Sequence, residues 1–157
     1  MVTFPAGIDA GQRLRVPGQG MPGPGGNTPP GDLYVEVDVE EDARFERDGA
    51  DLVTRIHVSM TEAALGADVQ VPGLEEDETM HPLTVPPGTQ AGAVFTLKGQ
   101  GVPRLDGRGR GALMVVVQVD VPTVLTQRAR ELMEALDEEL RGDPAQGSPK
   151  RAAGSTK

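Results

Sequence analysis

The sequence has no cysteine, which excludes disulfide frameworks, thiolate zinc sites and thiol catalysis. Tryptophan is also absent, and there are only three phenylalanines and one tyrosine, too few rings for a base-stacking platform. Basic residues are in the minority, with 15 Lys and Arg against 24 Asp and Glu and a net charge of −9. The clustered cations that hold a phosphate backbone are missing, so no nucleic-acid partner is expected. No apolar run approaches the roughly 18 residues of a membrane span, so no membrane partner is expected either. The opening residues, Met1 to Gly7, have neither the basic nor the apolar segment of a secretory leader. These absences lead to the expectation of a soluble, acidic, cytoplasmic protein with no metal and no other cofactor.

What the sequence has in excess is glycine and proline, 35 of 157 residues, spread between short apolar segments as in a turn-rich β protein. It also repeats itself. Val2–Pro22 aligns without a gap on Leu83–Pro103, with nine of 21 positions identical, among them Pro5/Pro86, Gly7/Gly88, Gly11/Gly92 and the Gly-Gln-Gly of 18–20 and 99–101. After a one-residue slip, Gly31-Asp-Leu-Tyr-Val-Glu-Val-Asp-Val39 matches Gly111-Ala-Leu-Met-Val-Val-Val-Gln-Val119. An internal repeat of this length sets the architecture. The second copy follows residues 42–82, which carry strands of their own, and the first copy begins at Val2. This asymmetry leads to the expectation that the front half of the first unit has been lost by truncation; the alternative is a half-unit that completes its sheet elsewhere.

Alternation and turn residues predict strands at Val2–Phe4, Arg13–Val16, Leu33–Val39, Leu52–Val58, Asp68–Val71, Leu83–Val85, Val94–Leu97 and Leu113–Val121. Between Gly18 and Gly31, six glycines and four prolines exclude regular structure. A one-turn helix is expected at Thr61–Gly66, with Thr61 as N-cap and Gly66 as its stop. A longer helix, Gln127–Arg141 with Thr126 as cap, carries Leu125, Ala129, Leu132, Met133, Leu136 and Leu140 on one apolar stripe. That stripe suits either packing back on the second module or pairing with its twin in a two-fold dimer. The last residues form a Pro/Gly/Ser/Ala tail expected to be disordered.

Chemistry is hard to find. Gly18-Gln-Gly-Met-Pro-Gly23 spells a dinucleotide pattern, but prolines follow and no helix opens to receive a pyrophosphate. His57 and His81 lie on different elements with no third ligand at metal spacing, so His57 reads as a strand-face residue and His81 as a turn residue. The acids Glu75 to Glu78 read as a solvated hairpin tip, since calcium ligands alternate along the chain. No G-x-S-x-G elbow occurs, and nothing selects one pair of carboxylates over another. The chain is not expected to be an enzyme.

A protein of tandem β modules without catalytic groups reads as one that binds polypeptides through sheet faces or edges. Phe45 stands out, because Ala43-Arg-Phe-Glu-Arg-Asp-Gly49 gives an aromatic no periodic neighbours. It reads either as a plug between the modules or as a pocket wall for an extended apolar peptide.

Six pieces now stand in one order: Val2-Thr-Phe-Pro-Ala-Gly-Ile-Asp-Ala-Gly11, Pro30-Gly-Asp-Leu-Tyr-Val35, Phe45-Glu-Arg-Asp-Gly-Ala-Asp-Leu52, Ala63-Ala-Leu-Gly66, Val85-Pro-Pro-Gly-Thr-Gln-Ala-Gly92 and Gly99-Gln-Gly-Val-Pro103. In that order they resemble the C-terminal region of DnaJ-type J-domain co-chaperones, from Val2 to about Leu140. The resemblance implies an all-β fold of two tandem β-sandwich-like subdomains, the first N-terminally incomplete, followed by a C-terminal helix and a disordered tail. The implied division is 1–47 for the remnant of the first subdomain, 48–122 for the second, 123–141 for a dimerisation helix and 142–157 for the tail. It implies capture of unfolded client polypeptides and their delivery to a DnaK-type chaperone, with Phe45, Phe4 and Leu33 as substrate-binding residues and Phe45 in the peptide groove of the first subdomain. It further implies a homodimer through Leu132, Met133, Leu136 and Leu140. The family's J-domain motif, His-Pro-Asp, has no match here, since His81-Pro82 runs into Leu83, so stimulation of the partner's ATPase is not expected of these residues. The alternative reading is an assembly module for one dedicated native partner.

Overall fold

A computed structural model describes residues 2–25, 28–74 and 79–142. The chain divides into a β unit, Met1–Asp120, and a second unit from Val121 onward. Among the described residues the β unit has eight strands in three sheets: β1 (Arg13–Val16), β2 (Leu33–Glu36), β3 (Glu46–Asp48), β4 (Asp51–Ser59), β5 (Ala67–Pro72), β6 (Met80–Val85), β7 (Val94–Leu97) and β8 (Leu113–Asp120), with one short helix, α1 (Met60–Leu65). The all-β expectation holds, and the acidic run 75–78 and the tail beyond Gly142 lie outside the described residues.

The largest sheet has the order β3-β4-β8-β7. Its centre is parallel: β4 pairs with β8 from Leu52↔Leu113 to Ser59↔Asp120, while β3 and β7 run antiparallel at the edges. A parallel pair needs a long crossover, here residues 60–112, which contain α1, the β5–β6 hairpin and β7. The hairpin covers one face of the sheet. Val71 and Leu83 from it join Leu52, Leu113, Val115 and Val102 in one buried cluster, and Val58, Val117 and Ala63 form a second at the α1 end. Alternation supplies these residues: Leu113, Val115 and Val117 all face inward and are fully buried, as period-2 geometry requires of β8.

Five local expectations change. His81, expected in a turn, lies in β6 opposite Val71. Residues 2–4 form no strand, and β2 ends at Glu36, with Val37 still bonded to Gln12 and Gly11. The N-cap of α1 is Ser59, not Thr61. Ser59 Oγ accepts from the Glu62 amide at 3.2 Å and Glu62 Oε2 accepts from the Ser59 amide at 2.8 Å, the reciprocal bonding of a capping box. Gly66 does end the helix, with φ +87 and its amide on the Glu62 carbonyl at 2.8 Å. Finally, the charged segment Glu46–Asp48 is an edge strand, where charged side chains deter further pairing.

The first repeat copy folds as the isolated β1–β2 hairpin. The turn that precedes β1, Pro5–Asp9, is fastened to β3 by Arg47, whose guanidinium donates to the Gly7 carbonyl at 2.8 Å, the Ile8 carbonyl at 2.9 Å and the Gly49 carbonyl at 2.8 Å. Gly7 lies so close to the Pro103 carbonyl that a Cβ would collide with it.

In the second unit, α2 (Gln127–Gly142) starts at Thr126, whose hydroxyl accepts from the Ala129 amide at 3.1 Å. No α2 residue is buried.

Candidate functional site: the groove beside Phe45

The segment leading into β3 is held by a compact set of polar bonds. Asp42 accepts the Arg44 amide at 2.9 Å on its carboxylate and the Phe45 amide at 3.0 Å on its carbonyl. The same carboxylate takes the Arg44 side chain as a fork, Nε at 3.0 Å and Nη2 at 2.6 Å. Arg44 holds the Asp42 carboxyl down at about 2, chiefly through these side-chain hydrogen bonds. On the sheet side, the hydroxyl of buried Thr54 donates to the Arg44 carbonyl at 2.9 Å. These bonds fix the Asp42–Phe45 turn that leads into β3, and the Arg44 guanidinium lies 5.1 Å from the centre of the Phe45 ring, within cation–π range.

Phe45 is half-buried and packs against the cluster that contains Leu52, Val71 and Leu113. Its remaining surface belongs to a groove of about 1080 Å³ whose apolar lining includes Val39, Phe45, Leu52, Pro72, Leu74 and Val102. Phe45 thus packs on the core cluster and lines the groove at once. The groove is lined mainly by residues 40–47 and by Leu52–Arg55 of β4, with Pro72 and Leu74 beside them, Asp9, Ala10 and Val39 from the first copy and Val102 alone from the second.

The other sequence-predicted residues stand elsewhere. Phe4 and Leu33 are 52 % and 42 % exposed and do not line this groove. Leu132, Leu136 and Leu140 lie exposed on α2, with Met133 half-buried. His57 stands on the exposed face of β4, its Nδ1 3.0 Å from the Asp120 carboxylate. The sequence did not single out Val102, Leu74 or Val39 as lining. For Val102 the repeat contained a signal, since it aligns with Met21 immediately after Gly-Gln-Gly; for Leu74 there was none.

Known proteins resemble the chain closely. The family model described as the DnaJ C terminal domain matches residues 1–122. Chaperone protein DnaJ of Syntrophotalea carbinolica is 45% identical over 138 residues, covering 88% of this chain and 36% of that protein. Chaperone protein DnaJ of Parageobacillus thermoglucosidasius is 47% identical over 137 residues (87% and 35%). Chaperone protein DnaJ 1 of Corynebacterium efficiens is 48% identical over 136 residues (87% and 35%). The chain spans little more than a third of the length of these relatives.

Proposed function

The chain belongs to the DnaJ C-terminal domain family, and from that premise we propose that it binds unfolded polypeptide segments, with the Phe45 groove as a contact site, for delivery to a DnaK-type chaperone. The observation that carries this reading is the apolar groove itself, with an aromatic wall clamped by Asp42, Arg44 and Thr54. A clamped wall loses little entropy when a ligand arrives. Each apolar side chain inserted there gains about 1.5–3 kcal/mol when fully buried, so one or two anchors give weak, sequence-tolerant binding. No step of bond chemistry is involved.

The apolar stripe of α2 completes the reading. Leu132, Met133, Leu136 and Leu140 recur at helical spacing on an element with no buried residue, and a second copy of the helix is the partner that would cover them. Two chains would then present two grooves to one client and gain by avidity.

The test is fluorescence anisotropy of a labelled, permanently unfolded protein titrated with this chain, then competed with unrelated unfolded and native proteins. Competition by unfolded chains alone is the expected result; competition by one native protein alone would point to a dedicated partner and overturn it. Phe45→Ala weakens binding but also touches the core. Val39→Glu is therefore the cleaner variant, because Val39 is 39 % exposed and a carboxylate there puts charge into the groove at little cost to the fold. For the helix, Leu132→Glu should convert dimers to monomers in sedimentation velocity, and an unchanged dimer would sink that part.

A further inference from the structure

The same turn is docked in both repeat copies, but by different groups. In the second copy the amides of Gly88 and Thr89 donate to the Ala63 carbonyl in α1, at 2.9 and 3.0 Å. In the first copy the equivalent residues, Gly7 and Ile8, offer their carbonyls to one guanidinium, that of Arg47, at 2.8 and 2.9 Å. Arg47 Nε donates to the Gly49 carbonyl at 2.8 Å, which ties the fork to its own β3–β4 turn and aims its other two nitrogens at the first copy. A rigid planar fork of this kind is what a guanidinium supplies and an ammonium does not. No strand ladder does the same work, because β1–β2 is a sheet of its own. Phe4 and Leu33 of the first copy stay exposed, so they add little to its hold on the rest of the β unit.

We propose that Arg47 is a positioning residue of the Phe45 groove: it seats the first copy against β3, the seated copy completes the groove, and seating is therefore coupled to client binding. The proposal rests on the client-binding reading above and adds what controls the shape of that site. Asp9, Ala10 and Val39 are the first copy's share of the lining. Asp9 directly follows the two carbonyls that Arg47 holds. Val39 is tied to the same turn, through the Gly11 amide on the Val37 carbonyl at 2.8 Å and the Val37 amide on the Gln12 carbonyl at 2.9 Å. One guanidinium thus places groove residues that are far apart in the chain. A client that touches them as well as Phe45 binds the seated arrangement better than the unseated one. Linkage then requires the client to strengthen seating by the factor by which seating strengthens binding.

Arg47→Lys keeps the charge and removes the fork. Amide hydrogen exchange followed by NMR on the full chain, with and without reduced, carboxymethylated α-lactalbumin as the unfolded protein, reads the two copies separately. In the variant the Gly11 and Val37 amides should exchange faster while their equivalents, Gly92 and Val117, keep their protection, and affinity should fall about five- to tenfold. Saturating unfolded protein should slow exchange at Gly11 and Val37 in both chains, which an arginine of purely structural role would not bring about. Gly7→Ala, whose Cβ meets the Pro103 carbonyl, displaces the same turn without touching β3 and should weaken binding in the same direction. If Arg47→Lys also loses protection at Val117, it is unfolding as a whole, and Gly7→Ala decides. Faster exchange at Gly11 with unchanged affinity overturns the coupling and leaves client binding standing, and so does unchanged exchange in Arg47→Lys. If the unaltered chain binds no unfolded protein, client binding fails and the coupling fails with it.

Discussion

Residues 2–39 and 83–121 build the same hairpin twice, once almost bare and once covered. Equivalent residues pair with equivalent residues: Arg13↔Glu36 to Val16↔Leu33 in β1–β2, and Val94↔Val116 to Leu97↔Leu113 in β7–β8. The flanking bonds repeat as well, from the Gly11 amide to Val37 and from the Gly92 amide to Val117, each 2.8 Å. Glycines of positive φ recur at 7 and 88, 11 and 92, and 18 and 99. Burial does not follow. Leu33 is 42 % exposed and Leu113 0 %; Met21 is 88 % exposed and Val102 8 %; Phe4 is 52 % exposed and Val85 0 %. Local sequence therefore sets the hairpin's path and register, through glycine conformations and ladder bonds. Whether its side chains stabilise the fold depends on β4, β5 and β6, which lie against the second copy.

The largest expected effect tests this directly. Leu113→Ala empties a fully buried site and should cost about 2–5 kcal/mol in urea unfolding, whereas Leu33→Ala, at the equivalent position, should stay within about 0.5 kcal/mol. Equal losses would mean that the first copy is covered as well as the second.

A second pair should reverse the order. Gly7 and Gly88 share a left-handed backbone, φ +86 and +80, so alanine at either is strained by roughly 1–2 kcal/mol. At Gly88 a Cβ meets open space, but at Gly7 it runs into the Pro103 carbonyl oxygen and disturbs the turn that Arg47 fastens. Gly7→Ala should therefore lower the unfolding midpoint more than Gly88→Ala. The opposite ranking would show that the contact between Pro5–Asp9 and Pro103 contributes nothing.

The same comparison explains what could be read in the sequence. The repeat, the strands β1, β7 and β8, and α2 were legible because alternation, glycine spacing and one apolar stripe each act locally. Alternation and turn residues mark Val2–Phe4 as a strand just as they mark its counterpart Leu83–Val85, but Leu83–Val85 is one because β5 pairs with it, Val85 opposite Ala67. Residues 2–4 have no such neighbour among the described residues. The Ser59–Glu62 box is spelled in the sequence, but Thr61 is an equally good capping residue type two positions later, and only the backbone path decides between them. Strand β3 was hidden, since Glu-Arg-Asp has no apolar period and its pairing comes from β4. The groove was hidden for the same reason. Phe45 could be noticed as an isolated ring, but its companions Leu74 and Val102 reach it only through the fold.

The copies diverge after their last strands, and there the smallest effect is expected. The second copy runs on to Val121 and Pro122, whereas the first enters the Asp42–Arg44 turn that positions Phe45. The Asp42 carboxyl titrates lower in the folded chain, about 2 against 3.8, so its contribution to stability is present above its unfolded value and is lost as pH falls through about 2. Because the pair is open to solvent, the contribution is small. Asp42→Asn keeps an oxygen for the Arg44 amide but removes the charge and one of the two oxygens that accept from the Arg44 side chain. The unaltered chain should therefore lead the variant slightly at neutral pH, and the two should converge as the pH falls from about 4 to 2. Binding of an unfolded client should show the same convergence if the fork between Asp42 and Arg44 is what holds Phe45 open to the groove. A gap that persists at pH 2 would place the effect of the substitution in the turn's backbone bonds instead of the ion pair.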